Sequence, residues 1–449
     1  MMERGLAALL LAGTTLWPAS ALSAHAQTAV AAVGAATPSI ISLDEAIRRA
    51  EANEATFASV QADSRSAQLD RSIARAGLLP TAIMHNQYLY TQGNGALIGP
   101  GQSTTTPRFI ANNAVHEYIS QGVATETIGL AQFSAVSLAD ANAARAAAEL
   151  EVARRGLLTT VVALYYSVAA SESKLQSAQR ALDEANGFAK LTGQREEARE
   201  AAHADVLKAQ LQQQQRVRDV ADAQLAASRA HLELGVLLFP DPRTEFTTEM
   251  AAPSVLPDRA DVDAAAGSNN PELKSALASV KASDAAVLSA RAAYLPDLGL
   301  NVGYGIDAAQ FAVNGPNNTH NLGYSASATV DIPLWDWLAT QHKVKQSEIR
   351  RDAAKVALTA TQRHLIAALA EYYDEAASAR DQLASLELSV TTAAESLRLT
   401  KMRYLGGEGT VLEVVDAQNS LILAEDARAD GMVRYETALA NLQTLTGRF

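Results

Sequence analysis

The sequence predicts a mainly α-helical chain that contributes strands to a membrane β-barrel. Long antiparallel coiled-coil hairpins carry four transmembrane strands, and the barrel closes only when copies of the chain meet. Three observations predict this. Two stretches of about ten residues alternate strictly between apolar and small or polar side chains, the length of a tilted spanning strand. No proline falls between Pro107 and Pro240 or after Pro333, which leaves room for very long helices. The same order of features occurs twice.

Residues 1–26 read as a cleaved signal peptide: Arg4, an apolar core from Leu6 to Trp17, and Ala24-His25-Ala26 as an A-x-A site, so Gln27 is the expected mature start. A membrane anchor needs a longer apolar core. Residues 27–42 form a leader. The first structural repeat spans 43–240. Ser42 caps a helix expected to run to about Arg75. Ala74-Arg75-Ala76-Gly77-Leu78-Leu79-Pro80 then leads into an extended run. Strands are expected over Thr81–Gln92 and about Tyr118–Phe133, around a loop rich in Gly, Thr and Asn. A long helix from about Ala139 to Leu191 follows, with small residues (Ala139, Ala143, Ala146, Ala147) on one face. Helices this long and narrow must pack as coiled coils.

Pro240, Pro242, Pro253 and Pro257 mark an inter-repeat linker over 241–259, and the second repeat spans 260–449. Ala290-Arg291-Ala292-Ala293-Tyr294-Leu295-Pro296 repeats the earlier junction, Pro296 standing 216 residues after Pro80. Tyr165-Tyr166 and Tyr372-Tyr373 match at an offset of 207, and Asp205-Val206 and Glu413-Val414 at 208. The strand pattern is clearest here. Leu298, Leu300, Val302, Tyr304 and Ile306 alternate with Gly299, Asn301, Gly303 and Gly305. Leu322 to Ile332 alternates in the same way.

The chain ends in a second helical hairpin. Gly406, Gly407 and Gly409 permit a reversal, and Thr410 with Glu413 three residues on fits a capping box. Val414, Ala417, Leu421 and Ala424 then set an apolar stripe toward a partner helix.

Four strands do not close a barrel, and open edges are not tolerated in hydrocarbon, so copies must share one. Two copies supply eight strands, filled by their own side chains; three supply twelve and leave a lumen. Cyclic symmetry would close the helices into a tube as well.

Composition excludes other classes. With no Cys, disulfides, thiolate metal sites and cysteine nucleophiles are ruled out. A net charge of −12 argues against a nucleic-acid partner. No HExxH, GxSxG, Walker or GxGxxG pattern occurs, so no enzyme, cofactor or metal site is expected. An exported enzyme is thereby disfavoured. A soluble periplasmic coiled-coil adaptor would share the hairpins but would not need the alternating strands.

Arg403-Tyr404-Leu405-Gly406-Gly407-Glu408-Gly409-Thr410, the run on to Glu425, the closing Ala438–Gly447 stretch and the paired junctions resemble the outer-membrane efflux protein family, the TolC-like exit ducts. The resemblance covers nearly all of the mature chain. It implies a homotrimer with a twelve-stranded barrel in the outer membrane and an α-helical tunnel across the periplasm. Such ducts serve efflux or type I secretion as passive conduits, with a periplasmic adaptor and an inner-membrane pump. It also implies gate residues at the periplasmic mouth: Tyr404 holding the constriction, Asp205 as its partner across subunits, and Glu413 and Asp416 as acidic rings. Adaptor docking is implied at two tips, Gly406-Gly407-Glu408 and Ala198-Arg199-Glu200. Gly409 stands where the family often has a basic residue, and Arg199 where glycine would sit.

Overall fold

The computed structural model describes residues 39–90, 116–249, 252–315 and 320–447. The expected cleavage site, most of the leader and most of the first strand-to-strand loop lie outside these residues. From Ile40 onward the chain forms one body.

A short strand β1 (Ser39–Ile41) leads to Ser42, whose hydroxyl accepts from the Glu45 N–H and opens α1 (Leu43–Asn53). The helix stops at Glu54, which turns to extended backbone. Its carboxylate accepts from the N–H groups of Thr56 and Phe57 and so starts α2 (Ala55–Ala76). The single helix expected from Ser42 to about Arg75 is thus two, because residue 54 serves as the stop of one and the cap of the next. Strands β2 (Thr81–Tyr90) and β3 (His116–Ile128) follow. The second ends before the expected Phe133: Gly129 is extended, and α3 (Leu130–Glu197) has begun. At 68 residues α3 spans roughly 100 Å, longer than the sequence suggested. The chain reverses into α4 (His203–Leu238), and a short strand β4 (Phe246–Thr248) pairs with β1.

The second half has the same order of elements as the first. α5 (Arg259–Asn269) breaks at Asn270, whose side-chain oxygen accepts from the Leu273 N–H at 2.7 Å and starts α6 (Pro271–Ala292). The junctions into the strands are the same: Leu79 N–H bonds to Ala76 and Leu295 N–H to Ala292, each at 3.0 Å. Then come β5 (Asp297–Ala308), β6 (Leu322–Asp331), α7 (Ala339–Leu405) and α8 (Val411–Thr446).

The four long strands form an antiparallel sheet in the order β2-β3-β5-β6. Register puts like beside like. Leu298, Leu300, Val302, Tyr304 and Ile306 face Val330, Ala328, Ala326, Tyr324 and Leu322. The other face pairs Gly299 with Thr329, Asn301 with Ser327 and Gly303 with Ser325. In β5 and β6 one side is therefore apolar and the other small and polar, as alternation demands, while in β3 Glu126 stands on the apolar side opposite Leu300. On the apolar side Ser120 donates to Asn86 at 2.8 Å, so that polar pair satisfies itself. Among the described residues β2 and β6 are each paired along one edge only.

The main core lies mid-way along the long helices, where α1 and the β1–β4 pair pack against α3, α4 and α8. Val161, Tyr165, Leu234, Leu238 and Tyr435 are buried there. Each such side chain contributes about 1.5–3 kcal/mol by burial. The Tyr165 hydroxyl donates to the Ile41 carbonyl at 2.9 Å and accepts from the Glu249 N–H at 3.1 Å, tying down both short strands. No described helix is long and apolar enough to cross a membrane.

Candidate functional site: the paired helical tips

The two reversals, α3 to α4 and α7 to α8, lie side by side and close in the same way. In the first, Ala198 N–H bonds to Gln194, Arg199 N–H to Glu196 and Glu200 N–H to Arg195. In the second, Gly406 N–H bonds to Met402, Gly407 N–H to Tyr404 and Glu408 N–H to Arg403. This is a helix C-terminus closed by a left-handed residue. Gly407 has φ 78°, and Arg199, its repeat mate, has φ 64°. The expected docking triplets, Ala198-Arg199-Glu200 and Gly406-Gly407-Glu408, are thus conformational equivalents even though one carries arginine.

Below the reversals a small apolar cluster forms from Phe188, Ala209, Tyr404, Val411 and Val414. Tyr404 is 6% exposed. Its ring lies 5.1 Å from that of Phe188, and its hydroxyl donates to the buried Thr192 hydroxyl at 3.4 Å. Arg195 joins the two hairpins. It donates to the Tyr404 carbonyl at 2.7 Å, and its guanidinium lies over the tyrosine ring at 4.9 Å. It also stands 3.5 Å from the Glu200 carboxylate.

Tyr404 and Asp205 share one cleft of about 330 Å³, lined also by Arg195, Glu200, Lys208 and Thr410. Within the protomer the tyrosine bonds to Thr192, while Asp205 lies half-buried in the first turn of α4. Glu413 departs from the capping box. Thr410 does accept from the Glu413 N–H at 3.3 Å, but the Glu413 carboxylate turns to Arg403, 3.4 Å away. Asp416, one turn on, is exposed. The two acids stand three residues apart, hence on neighbouring positions of one helix.

Sequence reasoning missed Arg195, Thr192 and Phe188 as tip residues. A signal for Arg195 was present: it is the repeat mate of Arg403, which directly precedes Tyr404. Among the described residues no cluster of three or more metal-ligating side chains occurs.

Solved structures share the architecture. The outer-membrane channel OprN superposes with a TM-score of 0.74 at 19% identity, covering 91% of this chain and 90% of that one. Residues 264–448 match the family described as outer membrane efflux protein. Outer membrane protein OprJ of Pseudomonas aeruginosa is 27% identical over 172 residues, 38% of this chain and 36% of that protein. Protein CyaE of Bordetella pertussis is 28% identical over 301 residues, 66% of this chain and 62% of that protein. The chain thus spans between about a third and three fifths of the length of these curated relatives. The sequence of its second half thus matches the outer membrane efflux protein family, and its fold is shared with solved outer-membrane channels.

Proposed function

We propose that this chain is one protomer of a trimeric outer-membrane exit duct in a tripartite efflux or type I secretion system. The barrel sits in the outer membrane and the helical tunnel reaches through the periplasm toward an adaptor and an inner-membrane pump. It acts as a passive conduit. The observation that carries this reading is the open four-stranded sheet: β5 and β6 present one apolar and one small polar face, and among the described residues β2 and β6 each have one unpaired edge. Such edges need partner strands in hydrocarbon, and a second and third copy supply them. The helices favour the same closure. Exposed Leu211, Leu225 and Leu232 recur on α4 at multiples of seven, a seam for a neighbouring helix. A soluble adaptor would have no use for this sheet.

The gate belongs to the same proposal. Tyr404 and Asp205 hold the mouth, and Glu413 with Asp416 forms acidic rings in threefold repetition, which concentrates negative potential in a narrow opening. The triplets at Ala198–Glu200 and Gly406–Glu408 form the docking surface for the adaptor. Recording the reconstituted protein in planar bilayers tests both parts. A large-conductance pore is expected, with cation selectivity that falls in the Glu413→Ala, Asp416→Ala double variant. No pore would overturn the duct. A pore with unchanged selectivity would leave the acids as plain helix surface.

A further inference from the structure

Tipward of the main core, α4 and α8 flank α3 and touch each other little. A cavity of about 760 Å³ opens between them, with α3 as its floor. That volume lies within the roughly 300–1,000 Å³ of small-molecule sites. Ala170, Ala223, Ala226, Ile422 and Val433 give it an apolar lining. The charges around it do not balance. Lys174 is taken up by Asp430 at 2.6 Å and Arg216 by Asp219 at 2.7 Å. That leaves Asp222, Glu233 and Asp426 with Arg229 alone. Asp426 is half-buried and has no hydrogen bond or ion pair among the described residues. Burial holds its carboxyl above the usual range; Lys174 opposes this, while Asp430, Glu425 and Asp219 add to it. A carboxylate so placed gains from a cation brought beside it.

The cavity opens on one side of the hairpin, and the β1–β4 pair lies on the other. His231 marks that other side: its ring stands 4.8 Å from that of Phe246 in β4, and its Nε2 lies 2.8 Å from the Glu172 carboxylate. Ala170 and Lys174 fall two residues either side of Glu172, and Arg229 and Glu233 two either side of His231. Two residues turn a helix by roughly 200°, so these cavity residues point away from β4. The exposed Leu225 and Leu232 of α4 lie on the side turned from its core residues Leu234 and Leu238. In the trimeric duct, α3 is then on one side of α4 and the neighbouring copy on the other. The two sides that remain are the outside and the lumen. A β1–β4 pair inside the tube would obstruct it, which leaves the lumen to the cavity. We propose that this cavity is a binding site in the duct wall for a small organic cation with an apolar body, one site in each protomer. The inference rests on the duct reading above and deepens it by naming a ligand class. The alanines, Ile422 and Val433 cover the body of the ligand, and Asp426 with Asp222 and Glu233 holds its charge.

Ethidium is a probe of this class, and its fluorescence anisotropy reads binding to the full-length protein in phosphatidylcholine nanodiscs. Expected is saturable binding that Asp426→Asn weakens about tenfold. Asp426→Glu keeps the charge and should restore most of it. Ala223→Phe fills the cavity, leaves every charge in place, and should weaken ethidium at least as much as Asp426→Asn. A diffuse negative field along the lumen would respond slightly to Asp426→Asn and not at all to Ala223→Phe, and that result overturns the site. Saturable binding unchanged in both variants also overturns it, as does a protein that conducts in planar bilayers but binds no ethidium; in each case the duct stands. Conductance of the variants shows that they assemble. Saturable binding that answers to Asp426 and Ala223 in a protein without conductance would keep the site and sink the duct. Neither binding nor conductance would sink both.

Discussion

Arg199 occupies the left-handed position that Gly407 occupies in the other repeat, with φ 64° against 78°. A side chain there costs about 1–2 kcal/mol relative to glycine, offset in part by the extra freedom glycine gives the unfolded chain. Arg199→Gly should therefore raise stability by up to about 1 kcal/mol, and Arg199→Val should lower it by at least as much, because a β-branched residue fits this region worst. Thermal unfolding of the purified protein reads both. Glu436 is a second residue whose environment sets its behaviour. It is 4% exposed, accepts from the Ser254 N–H at 2.8 Å and hydroxyl at 3.1 Å, and is hydrogen-bonded by Tyr166. Burial pushes its carboxyl above the usual range, against the pull of those donors. Burial also pushes the Tyr166 hydroxyl up to about 12. A raised carboxyl means that the folded state holds the proton more tightly than the unfolded one. The associated stability is full below the ordinary glutamate range and is lost as pH rises through the folded value. Glu436→Gln should flatten the fall in melting temperature between acidic and neutral pH. An unchanged slope would show that the linker segment at Ser254 is held without reference to this proton.

At the scale of elements, the two hairpins are joined at their tips by few groups, and Arg195 makes three of the contacts. It bonds to the Tyr404 carbonyl, covers the Tyr404 ring and faces Glu200. Gly409 has no side chain to reach across, so Arg195 is the cation on α3 that ties the α7–α8 tip to its neighbour. A charge-assisted hydrogen bond together with a cation–π contact contributes about 1.5–3 kcal/mol. If the proposed gate closes by keeping the tips together, Arg195→Ala should raise the open population roughly tenfold to a hundredfold. Arg195→Lys should fall between, since lysine keeps the charge and loses the planar fork. Open probability in planar bilayers measures this. Equal values for all three proteins would leave Arg195 as a packing residue. The helices themselves need little explanation beyond burial. Breaks at Glu54 and Asn270 show how one capping side chain divides what would otherwise run on.

At the scale of the molecule, the open sheet sets the terms. Its end strands have one paired edge each, and its two faces differ in polarity. Because the chain has no cysteine, engineered pairs report without background. One cysteine placed in β2 and one in β6, scanned over the apolar face from Met84 and from Ala326, should form cross-links between copies. The product on denaturing gels should be a closed trimer without higher ladders. Cross-links confined to dimers would contradict a twelve-stranded barrel. An absence of cross-links at every register would contradict shared strands altogether.

The elements were legible from sequence because their signals are local. Period-two alternation marked β5 and β6, proline spacing marked the long helices, and the 208-residue offset paired Asp205 with Glu413. Other features depended on which segments meet. Apart from its repeat match to Arg403, nothing distinguishes Arg195 from other helix-surface arginines until Tyr404, 209 residues away, is brought beneath it. The same holds for the clasp of Tyr165 on β1 and β4, and for Glu413 turning from its own helix start to Arg403. The sequence by itself determined where the long helices and the strands β5 and β6 fall, that the same order of features recurs, and which face of β5 and β6 is apolar. These follow from side-chain period and backbone preference, which act over a few residues. Only the tertiary structure decided which side chains from the two repeats share the tip, because contacts across hundreds of residues arise from packing and leave no mark in local spacing.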